Sequence, residues 1–292
     1  MRILLQTTIV SGPDDWTIDR FGLLAAHLAS VTDASGARLF EVTARDRGPL
    51  GAPDPVISKL DRASFDAVWL IAVDAGDGLN AADCGGIDRF RRAGGGLLVT
   101  RDHADVGRSI CSLADIGAAH FFHTRNLDPD ASRRCTDDIA TTSITWPNYH
   151  SGANGDFQLI ETVGDLHPVL LDPAGPDGRI TMLPAHPHEG AVGAPDGDPA
   201  ARVIATGRSR ISGVRFNTAV AFAPSASAGP AIAQSTFHHF ADYNWDPTKG
   251  CPTFVTESPG DGIARSFEAQ RQIRRYATSL AIWLTGQSPL TG

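Results

Sequence analysis

The sequence predicts an α/β three-layer sandwich with a mainly parallel central sheet, and three observations carry that expectation. Short, continuous apolar runs alternate with amphipathic stretches through the first half of the chain. A long amphipathic pattern closes the C-terminus. With 292 residues, 42% of them hydrophobic and 20% charged, the chain is large enough to bury one extensive core as a single domain over 1–292.

In chain order, residues 2–10 read as the first strand, because Gln6, Thr7 and Thr8 interrupt the apolar run and no small-x-small cleavage site follows it as a leader peptide would require. Residues 15–30 carry Trp16, Ile18, Phe21, Leu24, Ala25 and Leu28 at helical spacing. Residues 38–44 alternate as a second strand. The run Ala67-Val68-Trp69-Leu70-Ile71-Ala72-Val73 is continuous, as a strand buried on both faces requires. A helix over 81–92 follows. Gly94-Gly95-Gly96 then leads into a buried strand, Leu97 to Thr100, which ends at Arg101-Asp102-His103, with Asp105 capping a helix that runs to about Ile116. From about 120 to 230 the pattern changes to an elaborated, loop- and strand-rich segment, with strands expected at 202–205 and 214–222. A strand over 231–237 follows it. Phe267, Ile273, Tyr276, Ala277, Leu280, Trp283 and Leu284 mark the closing helix, 264–284.

Charge narrows the range of partners. With 25 basic against 33 acidic residues the net charge is −8, and no basic cluster reads as a nucleic-acid or anionic-membrane footprint. No apolar run approaches the roughly 20 residues of a membrane span. A small-molecule substrate is the expected partner, with homo-oligomerisation left open. Cys84, Cys111, Cys135 and Cys251 form no CxxC pair, which argues against a zinc ribbon or thioredoxin motif and best fits reduced thiols in a cytoplasmic protein, with one or two disulfides in an exported form as the alternative.

In open parallel sheets, ligands bind beyond the carboxyl ends of the strands, which selects Asp102 and His103. Histidines point the same way: of the 10, only His27 precedes His103. In Leu183-Pro184-Ala185-His186-Pro187-His188-Glu189, an extended backbone puts His186 and His188 on one side, as ligands for a divalent cation such as zinc or as flanks of a substrate, with Glu189 as acid or base. A packed or solvated loop is the competing interpretation. In the run from Ser235 to Asp246, His238 and His239 face opposite sides if they end a strand, and Asp242 is placed to orient His239. Phe237, Phe240, Tyr243 and Trp245 read as a packed wall that also suits a sugar ring, with Trp245 the candidate contact. His120, His123, Asn148, His150 and Asn154 supply further candidate substrate contacts, the last three from a polar, glycine-containing loop. Gly94-Gly95-Gly96 precedes a strand, the wrong place for a phosphate loop, so no nucleotide site is expected.

The run Gly94-Gly95-Gly96-Leu97-Leu98-Val99 followed by His103, and more weakly the segment from Ala231 to His239, resembles the ThuA-like (trehalose utilisation) proteins of the class I glutamine-amidotransferase-like superfamily. That resemblance implies a flavodoxin-like sheet, a site lacking the amidotransferase cysteine, and a link to sugar metabolism. Arg101-Asp102-His103-Ala104-Asp105 and the His186/His188/Glu189 segment depart from the family.

Together these features predict a hydrolase or lyase acting on a polar, sugar-like substrate. Asp102, His103, Glu189, His239 and Asp242 are its candidate catalytic residues, and His186 and His188 its candidate metal ligands. The alternatives are a non-catalytic binding or assembly module that kept the fold, and a thiol hydrolase using Cys111 or Cys135.

Overall fold

The computed structural model describes residues 1–8, 12, 17–71, 78–100, 116–119, 155–184, 192–208, 215–253 and 258–287. Its strands are β1 (Arg2–Thr7), β2 (Glu41–Arg45), β3 (Ala67–Ile71), β4 (Gly96–Val99), β5 (Phe157–Thr162), β6 (Met182–Pro184), β7 (Ala201–Arg208), β8 (Arg215–Phe222) and β9 (Ala231–Gln234). The helices are α1 (Gly22–Ser30), α2 (Ala81–Arg92), α3 (Asp242–Trp245), α4 (Gly262–Arg265) and α5 (Phe267–Leu284). Among the described residues, all nine strands join one mixed sheet in the order β2-β1-β3-β4-β9-β8-β7-β5-β6. The first five in that order are parallel, and every pairing from β9 onward is antiparallel.

Alternation along the parallel strands explains their continuous apolar sequence. Ile3, Leu5, Ala67, Trp69, Ile71, Leu98 and Ile232 enter a cluster with Leu24 and Leu28 of α1 and Ile273, Tyr276 and Leu280 of α5. Leu4, Val68, Leu70, Leu97, Val99 and Ala233 enter a second cluster with Ile87 and Phe90 of α2. β1, β3, β4 and β9 are therefore apolar on both faces, because each face is covered by helix.

The glycine triplet joins these layers. Gly94 adopts φ +88°, its N–H donates to Arg91 O, and the Gly95 N–H donates to Phe90 O, an αL ending that closes α2. A Cβ on Gly95 would meet the Phe90 ring, and one on Gly96 would lie 1.9 Å from the Leu284 carbonyl oxygen. The triplet thus ends one helix and lets the last turn of α5 touch β4.

Several boundaries differ from the sequence pattern. The first helix begins as a 3-10 turn, Ile18–Phe21, before α1, with the Ile18 N–H held by Asp46. The second strand starts at Glu41 because Thr32 and Arg38 form a local antiparallel bridge. The strand expected over 231–237 ends at Gln234, where the chain turns out of the sheet. The reduced-thiol expectation is corrected at Cys84, which is disulfide-bonded, while Cys251 is not part of a disulfide. Disulfides form and persist in oxidising surroundings, so the cytoplasmic expectation loses that support. Among the described residues, no helix is long and apolar enough to cross a membrane.

Register places the site. Arg45, Gln6, Leu70, Val99, Ala233 and Val220 share one rung, and the parallel strands end within two residues of it. The β7–β8 pair continues past that rung to Arg208 opposite Arg215, and β5 reaches it from Phe157. The antiparallel half thus rises roughly 15 Å beyond the carboxyl ends of the parallel strands, as a wall beside them.

Candidate functional site

At the carboxyl edge the buried residues turn polar. Gln6, Thr7 and Thr8 end β1, Thr100 follows β4, and Gln234, Ser235 and Thr236 end β9; each is at most 1% exposed. The Ser235 N–H still pairs with Thr218 O, but Thr236 then turns the chain by accepting the His238 N–H on Oγ1 at 3.1 Å. The turn is locked from α3: Asn244 Nδ2 donates to His238 O at 3.0 Å, and the Trp245 indole N–H donates to His239 O at 2.9 Å. His238 and His239 sit in this turn rather than at a strand end, and both are buried.

Each imidazole has a partner. Tyr276 of α5 donates its hydroxyl to Gln234 Oε1 at 2.7 Å, and Gln234 Nε2 lies 2.7 Å from His239 Nδ1. An amide nitrogen only donates, so His239 Nδ1 accepts and the ring proton of the neutral imidazole resides on Nε2. His238 Nδ1 pairs with the Tyr243 hydroxyl at 2.9 Å, and its ring lies against Phe237. A neutral imidazole held in this tautomer presents its Nε2–H as a fixed hydrogen-bond donor, suited to polarising a substrate oxygen on which negative charge develops. Asn244 Oδ1 and Thr8 Oγ1, both buried, take no hydrogen bond from the protein.

Two expectations at this turn are corrected. Asp242 does not orient His239: its Oδ1 accepts the Leu23 N–H at 2.8 Å, capping α1, while Gln234 occupies His239 Nδ1. Burial pushes the Asp242 carboxyl up to about 6. Trp245 is no ligand platform, because it is 5% exposed, its N–H is committed to His239 O, and its ring packs beside His27 and Arg274. The packed-wall expectation fits Phe237, Phe240 and Tyr243, all buried. Asp102, His103, His120, His123, Asn148, His150, Asn154, His186, His188 and Glu189 lie outside the described residues. Among the described residues, no group of three or more His, Cys, Asp or Glu side chains is placed to hold a metal ion.

Gln234, Tyr276 and Asn244 were not singled out by the sequence. The available signal was a glutamine closing the apolar strand Ala231 to Ala233; Tyr276 is hidden in the apolar stripe of α5.

The remaining described histidines are structural. His27 Nε2 lies 2.9 Å from both Arg274 O and Thr278 Oγ1, and burial lowers its pKa. His167 accepts the Val169 N–H, packs edge-on against Trp283, and burial holds its pKa down to about 4. A histidine depressed from 6.5 contributes stability that is fully present above pH 6.5 and is lost as pH falls toward 4. The raised Asp242 carboxyl acts oppositely, its contribution being lost as pH rises from 3.8 through about 6. The expected result is that His167→Gln flattens the acid limb of melting temperature against pH between pH 6.5 and 4, removing on the order of 2 kcal/mol of pH dependence. An acid limb identical to that of the wild type would show that His167 titrates normally in the fold.

Fold and site together define an α/β protein with a polar, histidine-bearing turn at the carboxyl edge of its parallel strands. No protein-family model matches the chain. No curated protein matches its sequence. Among solved structures it is similar to an exo-beta-1,4-mannosidase from Opitutaceae bacterium strain TAV5, at 11% identity and a TM-score of 0.43 over 97% of this chain and 36% of that one. It is also similar to the carbohydrate deacetylase Agd3, at 8% identity and a TM-score of 0.40 over 80% of this chain and 29% of that one. The chain spans about a third of either structure, and at these scores neither likeness carries an argument about activity.

Proposed function

We propose that the chain is a small-molecule enzyme, a hydrolase or lyase acting on a neutral, polar, sugar-like substrate, with the Nε2–H of His239 as the donor that stabilises charge on the reacting substrate oxygen. The observation that carries the reading is the Tyr276–Gln234–His239 hydrogen-bond chain, which sets the imidazole proton on Nε2 at the end of the last parallel strand. The order β2-β1-β3-β4-β9 supports a flavodoxin-like, three-layer sandwich, and in such sheets ligands settle beyond the carboxyl ends. The hydroxyl and amide groups around the turn suit a neutral polar ligand better than an ion. One observation favours the rival reading, a non-catalytic ligand-binding module: His239 is only 1% exposed.

The test is turnover on a panel of chromogenic glycosides and sugar acetates. His239→Ala is expected to lower kcat/KM by about 10²- to 10³-fold, beyond what its loss of a buried ring costs in melting temperature. Gln234→Glu replaces an amide donor with an acceptor and draws the ring proton to Nδ1, leaving Nε2 without its donor, so kcat/KM is expected to fall comparably. Wild-type turnover in His239→Ala rejects the catalytic reading, and ligand binding without turnover in the wild type favours the module.

A further inference from the structure

The wall formed by the antiparallel half carries a side chain that the fold does not explain. Gln158 of β5 is 2% exposed, yet neither Nε2 nor Oε1 has a hydrogen-bond partner. It lies opposite Leu183 of β6, past the rung where the parallel strands end. Ile160 pairs with Gly207, so Gln158, two residues away, shares the face on which a Gly207 side chain would stand. A Cβ there would lie 2.7 Å from Phe216 Cζ and 2.9 Å from Gln158 Nε2, so the glycine lets the amide and the ring come together.

Leaving both ends of a buried amide unpaired is expensive, whereas methionine or leucine would fill the same volume without that penalty. Retaining glutamine here makes sense when something else completes it. An amide offers a donor and an acceptor side by side. A carboxylate or phosphate would satisfy the N–H₂ group and be repelled by Oε1, whereas two neighbouring hydroxyls match both atoms, each hydroxyl being donor and acceptor.

We propose that Gln158, backed by Phe216, is a binding subsite for a pair of adjacent hydroxyls on a neutral carbohydrate that enters from the carboxyl edge. The assignment rests on the sugar-like substrate proposed above and adds the group that recognises it.

The experiment measures binding of D-glucose, D-galactose and N-acetyl-D-glucosamine, with D-glucuronate as the anionic control, to wild type, Gln158→Met, Gln158→Glu and His239→Ala by calorimetry, alongside ligand-free melting. The expected result is at least a tenfold loss of neutral-sugar affinity in Gln158→Met, with a ligand-free melting temperature equal to or above that of the wild type. Gln158→Glu, which loses the donor, is expected to lose affinity similarly. Sugar binding unaffected in both variants overturns the subsite and leaves the proposed function standing. Wild-type protein that binds none of the neutral sugars also overturns it, while catalysis on another substrate that disappears in His239→Ala would keep the catalytic reading apart. A drop in ligand-free melting temperature of more than about 5 °C in both variants overturns it as well, because the amide would then be paired within the fold.

Discussion

Replacing Asp172 by alanine is expected to lower stability by about 2 to 4 kcal/mol, a fall in melting temperature of roughly 5 to 10 °C. Asp172 is 1% exposed and receives a two-pronged ion pair from Arg271 of α5, with Nη1 and Nη2 at 2.7 and 2.6 Å from its two oxygens. The same guanidinium donates to Glu268, and these carboxylates raise its already high pKa further. Beside it, Gln272 Oε1 accepts the Thr181 and Met182 N–H groups, so one turn of α5 is fastened to the chain entering β6. Removing the aspartate leaves the cation with Glu268 and water, because the Arg271 side chain is 23% exposed. That partial hydration keeps the loss below the value for a fully buried pair. Asp172→Asn, which keeps the shape and part of the hydrogen bonding, is expected to lose about half as much. Calorimetry of the two variants checks the order, and a melting temperature within about 1 °C of wild type for Asp172→Ala would show that the clamp contributes nothing.

Gly96→Ala is expected to be at least as damaging, with a loss of about 3 kcal/mol or more. The added methyl would sit 1.9 Å from the Leu284 carbonyl oxygen and 2.9 Å from its Cα, so the obstacle is backbone. No rotamer change relieves it, and α5 must move away from β4. Gly94→Ala tests a different property, since nothing lies within 4 Å of a Cβ there and the strain comes only from φ +88°. Its expected loss is about 1 kcal/mol, the ordinary penalty for a side chain in the left-handed region. Urea titration of both variants separates the mechanisms, and equal losses would refute the close-approach account of Gly96.

The parallel half of the fold was legible because its signals are local. Ala67 to Ile71 and Leu97 to Val99 are apolar on both faces, and only a strand covered on both sides rewards that pattern. The stripe along α5 was equally plain, from Ile273 through Leu284. Gly94 to Gly96 stood out as a motif, but its purpose emerged only from three-dimensional contacts, a helix ending and the approach of Leu284 from almost two hundred residues away. The site was half legible. His239 belongs to a buried polar turn at the sheet edge, as its place after an apolar strand suggested, but its partner was assigned to Asp242 by proximity in sequence. The folded chain instead gives His239 to Gln234 and sends Asp242 to the first turn of α1, 219 residues away.

The sequence by itself determined which segments become buried strands and helices and that polar groups gather where those strands end, because periodicity and burial act over a few neighbouring residues. Tertiary structure alone decided the strand order, the partner of each imidazole, and the buried amide of Gln158 on the wall beside the site. Those depend on which distant segments meet, and hydrogen bonding is satisfied by proximity in space, which spacing along the chain does not encode.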